Sequence, residues 1–138
     1  MINANELRIT NKVYDNGKIC TIESINAFAD GEADVYLVET GNAGMYIDPI
    51  HLTEDILLKC GFEYRNENRG LGAILDFKNK EFDNWKYDMS VAFQHETDNK
   101  EIVYLHFLQH KTTNSIKYLH QLQNIYFALT QEELTIKL

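Results

Sequence analysis

Apolar and polar residues change period twice along the chain, and the longest unbroken helical pattern lies near its carboxyl end. In Ser115 to Thr130, SIKYLHQLQNIYFALT, a rotation of about 100° per residue brings Leu119, Tyr126, Leu122, Leu129, Tyr118 and Ile125 within an arc of about 120°, the width of a core-facing helix. Lys117, Gln121, Asn124 and Ala128 fall opposite and are assigned to solvent. Ser115 or Asn114 is the expected N-cap, because a short polar side chain can accept a bond from a free N–H of the first turn. The helix is expected to end near Leu129 or Thr130 without a glycine cap, after which ELTIKL resumes alternation.

The first fifty residues carry the strand period instead. Asn16-Gly17 is the strongest hairpin signal, since both residues accept the positive φ of a type I′ turn; its arms are Lys12 to Asp15 and Lys18 to Ile25. Asp30-Gly31 and Gly41-Asn42 bracket a third strand, Ala33 to Glu39, and Gly44 to Ile47 makes a fourth. Such frequent turns suit a small, curled, SH3-like antiparallel sheet. The period then shifts. Thr53, followed by Glu54 and Asp55 and ending at Gly61, predicts a short helix from Glu54 to Cys60 with Ile56, Leu57 and Cys60 facing the core. Glu63 to Gly72 reads as a loop or a frayed strand start. Ala73 to Phe77, Trp85 to Gln94 and Ile102 to Gln109 read as strands, with HETDNKE as the hairpin loop between the last two.

The expected architecture is therefore α+β in a single domain, 1–138: a β-rich SH3-like part over 1–50, then a short helix and an antiparallel meander covered by the C-terminal helix. Length fits one core. The composition, 44% apolar and 25% charged, is that of a folded chain and excludes a disordered one. A net charge of −8 disfavours nonspecific binding to nucleic acid or an anionic membrane. The charge is uneven, with eight acids against three bases in residues 1–50. Cys20 and Cys60 lack ligand-like spacing and sit among apolar residues, so reduced core thiols are expected. The opening MINANELRIT lacks a basic region followed by an apolar run, and no segment is apolar for the roughly 18 residues of a membrane span. A cytoplasmic location is the expectation.

Candidate chemistry is sparse. His106 and His110 are four apart, which on a strand means about 13 Å, too far for one metal ion unless the strand ends between them. There is no HExxH, GxSxG or paired-cysteine motif, so no catalytic residue, metal or cofactor is assigned. Gly70-Leu71-Gly72 lacks the lysine and hydroxyl of a phosphate loop and reads as a flexible bend. Glu54-Asp55 and Glu132-Glu133 are explained by a helix start and a solvated turn.

Two surfaces are left. His120, Gln123 and Phe127 lie on the shoulder of the C-terminal helix, at rotations of about 100°, 40° and 80° from Leu119, and form a candidate protein-contact stripe. The plainer account of them is that Phe127 packs under the loop near Thr112 while Gln123 bonds to backbone. Arg8, Lys12, Tyr14 and Lys18 interleave basic and aromatic residues as single-strand binders do, although they sit in the most acidic part of the chain.

The blocks ELRITNKVYDNGK, PIHLTEDILLKCGF and IKYLHQLQNIYFALTQEEL resemble a family of small uncharacterised proteins encoded in Bacteroides-type genomes, often in phage-like or mobile regions. The family pattern has Arg-Ile-Gly-Asn near its start and Thr-Gly before its final Glu-Leu. Thr10 and Gln131 stand here in place of those glycines, which puts the form of both turns in question. The resemblance carries over no catalytic or binding residue. Taken together, these readings favour a non-catalytic, protein-binding or self-associating accessory. Two alternatives accompany it: a small enzyme using His106, His120 and a carboxylate at a helix and sheet interface, and nucleic-acid binding through Arg8, Lys12, Tyr14 and Lys18.

Overall fold

In the computed structural model, Asn16 and Gly17 take φ angles of 52° and 76°, the left-handed pair that a two-residue hairpin requires. The structure describes residues 2, 4–28, 33–44, 47–77, 89–95, 101–107, 110–111 and 115–137, without the side chains of 27, 94–95, 101–102, 107 and 110–111. The expected turn at Asp30-Gly31, residues 45–46 of the expected fourth strand, the loop at 96–100 and the strand start at 85–88 lie outside the described residues. So do the helix cap at Asn114 and the strand residues 108–109.

The fold is α+β with two antiparallel sheets. The hairpin joins β1 (Lys12–Asp15) to β2 (Lys18–Ala27), and β3 (Ala33–Leu37) and β4 (Ile47–Asp48) complete a sheet of order β3-β2-β1-β4. Strand β2 is long enough to serve two partners: Lys18 to Thr21 pair with β1, and Ile22 to Ala27 pair with β3. A register shift between Ile22 and Ser24 separates the two halves, and such a bulge bends a strand and curls its sheet. Val13, Cys20, Ile22, Val35, Leu37 and Ile47 fill the concave side.

Helix α1 (Glu54–Lys59) forms for the reasons its sequence gives. The Thr53 hydroxyl accepts from the Ile56 N–H at 3.2 Å, Glu54 and Asp55 sit in the first turn, and Gly61 follows with φ 92°. Ile56 and Leu57 are buried, as is Cys60 just beyond. Strands β5 (Phe62–Tyr64), β6 (Ile74–Phe77), β7 (Met89–His95), β8 (Glu101–Phe107) and β9 (His110–Lys111) follow in simple meander order. The bend at 70–72 is tied down, for the Gly72 N–H bonds the Phe93 carbonyl and the Phe93 N–H bonds that of Ala73.

The chain divides into two compact units, residues 1–51 with 118–131, and residues 52–117 with 132–138. Helix α2 (Leu119–Thr130) belongs to the first. The sequence pattern assigns it to the meander, but the hydrogen bonds described below run to residues 6–12 of the N-terminal unit. It also starts four residues later than its pattern suggests. The Ile116 N–H donates to Val103 O, the Lys117 carbonyl accepts from Leu52, and Tyr118 bridges to His51, so Ser115 to Lys117 are held out of the helix by long-range pairing. Gln121 reaches back to accept the Tyr118 N–H at 3.1 Å, one half of a capping box.

The buried face of α2 is Leu119, His120, Leu122, Gln123 and Tyr126, turned by about 80° from the expected arc toward its polar shoulder. Leu129 is 39% exposed, and Asn124, placed opposite the core by periodicity, is half-buried. The two positions where the resembled pattern carries glycine, Thr10 and Gln131, have φ of 79° and 61°. Both residues are left-handed although neither is glycine.

Candidate functional site

The polar face of α2 and the segment leading into β1 are sewn together residue by residue. Asn11 is fully buried; its Nδ2 donates to Asn124 Oδ1 at 2.9 Å, and its Oδ1 accepts the Arg8 N–H at 2.8 Å. Asn124 in turn donates to the Glu6 carbonyl at 2.8 Å. Gln123, 2% exposed, uses both ends of its amide: Oε1 accepts the Lys12 N–H at 2.8 Å, and Nε2 donates to the Thr10 carbonyl at 3.2 Å. Buried polar groups persist where partners of fixed geometry satisfy them, which is what this lattice provides.

His120 completes the face. Its Nε2 lies 3.4 Å from Glu6 Oε2, and its ring stacks on Tyr118 at 5.7 Å and 10°. Tyr118 also contacts His51, with centroids 5.1 Å apart. His120 is fully buried, and its Nδ1 has no hydrogen-bond partner among the described residues. Burial pushes the imidazole below its ordinary pKa, and the Glu6 carboxylate pulls the other way.

The two surfaces singled out in the sequence meet at two points. The Arg8 guanidinium sits over the Phe127 ring at 4.3 Å, and Lys12 joins Gln123 through its backbone. His120 and Gln123 are buried, and the contacts described for them include this chain's own residues 6–12. The basic set is dispersed in the same way. Lys12 Nζ donates to Thr21 Oγ1 at 2.6 Å, Tyr14 is half-buried, and Lys18 stands exposed at the end of the hairpin opposite Asp15. The placement of Phe127 near Thr112 involves a residue outside those described.

His106 and His120 lie in different units, and the carboxylate that His120 meets is Glu6. His106 is half-buried on β8, and the chain reverses into β9 before His110, whose side chain is outside the described set. Among the described residues no group of three or more metal-ligating side chains comes together. Both cysteines are free and buried, and burial raises the Cys60 thiol to about 12. Among the described residues no helix is long and apolar enough to cross a membrane.

Sequence reasoning missed Glu6, Thr10, Asn11 and Asn124. The available signal was the spacing of His120, Gln123 and Asn124 at i, i+3 and i+4, a polar stripe of the width that meets a partner segment. Among the described residues, the second unit holds an arrangement of comparable order. Arg65 grips the buried Asp76 with Nε at 3.1 and 3.2 Å and a terminal nitrogen at 2.8 Å, while Arg69 lies 3.4 Å above the Tyr64 ring. No protein-family model, curated protein or solved structure matches the chain.

Proposed function

We propose that this protein is a non-catalytic, protein-binding accessory, of the kind the resembled family suggests for a phage or mobile element, acting in the cytoplasm. It works through the convex face of its SH3-like N-terminal sheet. The observation that carries this reading is the chemistry of that face. Alternation along β1 and β2 sends Val13 and Cys20 inward and sets Lys12, Tyr14, Ile19 and Thr21 on the other side. Ile19 is 38% exposed there and Val38, just past β3, is 57% exposed. Lys12, Glu39 and Asp48 share that face, Lys12 and Glu39 through bonds with Thr21 and Asp48 through its pairing with Tyr14. An aromatic and aliphatic centre with a charged rim is the composition of a binding patch, and the acid-rich first fifty residues favour a partner with a basic rim.

The enzyme reading has less support. A general base must reach its substrate, and His120 is enclosed with Nε2 already directed at Glu6. The nucleic-acid reading loses two of its cations to internal partners, Phe127 and Thr21.

The test is a paired capture experiment on the whole chain, with cross-linking before purification. Ile19→Asp together with Val38→Asp should reduce recovery of a specific partner at least about tenfold, the effect of losing a central interface residue. Thermal stability should stay close to the parent, since both positions are exposed. Equal recovery by parent and variant would sink the assignment of this face. A monomer with no specific partner at any concentration tested would sink the function.

A further inference from the structure

Residues 4–9 behave as a strap across α2, leading into Thr10 and Asn11, which are fixed to β2 by the bonds from the Thr10 N–H to the Ile22 carbonyl and from the Ile22 N–H to the Asn11 carbonyl. Asn124 takes the Glu6 carbonyl, Asn11 takes Asn124, Gln123 takes the Thr10 carbonyl, and Glu6 meets His120. Leu7 adds an apolar contact to the sheet core, whereas Ile9 is 53% exposed. Two features of this seat are unfavourable as they stand. Thr10 is left-handed with its hydroxyl buried and unpartnered, and His120 Nδ1 is buried and unpartnered.

The second flaw has a direction. A neutral imidazole can donate from Nε2 to Glu6 and leave an idle lone pair on Nδ1, which is a modest cost. An imidazolium carries a proton on both nitrogens, so Nδ1 becomes a buried donor without an acceptor, a much larger cost. His120 is also the second residue of α2, where the partial positive charge of the helix start opposes a cation. The groups around it do not reverse this. Glu6, from the 3-10 turn at Ala4–Glu6, is the carboxylate paired with it among the described residues and is 53% exposed. Tyr118 stacks on the ring and also contacts His51; Arg8 on the strap is occupied with Phe127, and Lys12 at the start of β1 is occupied with Thr21.

We propose that residues 4–9 form an acid-released strap, seated on α2 while His120 is neutral and freed when His120 becomes an imidazolium. Release uncovers His120 and Asn124 together with Phe127, while Gln123 keeps its bonds to Thr10 and Lys12, so a surface closed at neutral pH opens on acidification. The proposal stands apart from the binding role of the sheet's convex face, which lies on β1, β2 and the turn after β3.

The experiment is an NMR titration of the full chain from pH 7.5 to 5. It follows the His120 ring protons, the side-chain amide of Asn124, and the Arg8 backbone amide that bonds Asn11. All should change together at a pH below the ordinary histidine midpoint. Exchange protection of Arg8, corrected for intrinsic rate, should fall about tenfold for each unit separating the seated from the released pKa of His120. His120→Gln, which can still donate to Glu6, should hold the strap amides constant across the range. Glu6→Gln, which leaves the imidazole in place, should keep the transition. A titrating His120 with unmoved strap amides overturns the proposal, as does an unchanged transition in His120→Gln. Loss of the transition in Glu6→Gln would make the carboxylate the trigger and overturn it too. If His120→Gln fails to fold, the parent and Glu6→Gln titrations still decide.

Discussion

Among the described residues each unit holds one α-helix beside one antiparallel sheet, yet the two helices are held by opposite means. Helix α1 is six residues long and buries Ile56 and Leu57 without a polar partner among its inward residues. Helix α2 is twice that length and buries His120 and Gln123 beside Leu119, Leu122 and Tyr126. Apolar contact is non-directional, so a short helix can be held by volume alone. Amide-to-amide contact is directional and fixes register, because a helix turned by one residue would leave Lys12 N–H and Thr10 O unmet. The first unit thus gains a defined seat for α2 and the second gains tolerance.

The largest expected effect breaks the apolar half. Leu57 is fully buried, so Leu57→Ala should cost about 3 kcal/mol, the lost transfer energy plus a cavity. Leu57→Met should cost less than about 1.5 kcal/mol, because volume is kept. Urea denaturation with an unchanged m-value measures both.

Next comes the polar half, where conserving volume should not help. Gln123→Leu matches the shape but strands the Lys12 N–H and the Thr10 carbonyl, and should cost about 2 kcal/mol. If Gln123→Leu were as mild as Leu57→Met, the contrast between the helices would be false.

These two positions also show what a sequence reveals and what it hides. Leu57 was legible because local signals agree around it: Thr53, two acids, an apolar face and Gly61 fall at helix spacings. The hairpin was legible for the same reason, since Asn16-Gly17 specifies its own backbone. Gln123 appeared as a shoulder residue because its partners, Thr10 and Lys12, are more than a hundred positions away. Periodicity assigns polar residues to water and cannot see polar residues that meet each other. The start of α2 was misplaced on similar grounds, since Ser115 looks like a cap until the neighbouring Ile116 is seen to pair with Val103. The shoulder stripe stands out from the apolar arc in the sequence, but what occupies it, residues 6–12 of the same chain, leaves no local trace.

Smaller effects follow from the backbone at the two ends of this polar seat. Thr10→Gly and Gln131→Gly should each stabilise the chain by about 0.5–1 kcal/mol, relief of left-handed strain less the added freedom of the unfolded glycine. Thr10 should gain more, because its substitution also removes a buried hydroxyl without a partner, whereas Gln131 loses weak side-chain bonds to the carbonyls of Phe127 and Ala128. A downward shift of the urea midpoint in Thr10→Gly would show that the hydroxyl or the left-handed turn is needed as it is.

The smallest effect concerns Glu39, where hydrogen bonding and burial compete on the solvent side of the same unit. Burial pushes the carboxyl up, but the Thr21 N–H at 2.6 Å and the Thr21 hydroxyl at 2.7 Å outweigh it and hold the pKa below the ordinary glutamate value. A folded pKa below the unfolded one means that Glu39 stabilises the chain above the unfolded value, and that this contribution is lost as pH falls through the folded value. Thr21→Val deletes the hydroxyl and keeps the backbone donor, so the Glu39 carboxyl carbon should titrate at a higher pH by NMR while remaining partly depressed. Because Glu39 is exposed, solvent screens the interaction and the midpoint in urea should scarcely move. A Glu39 titration unchanged by Thr21→Val would mean that the hydroxyl contributes nothing to the depression. Directional polar contacts would then govern only the enclosed seat of α2, and not the open face of its unit.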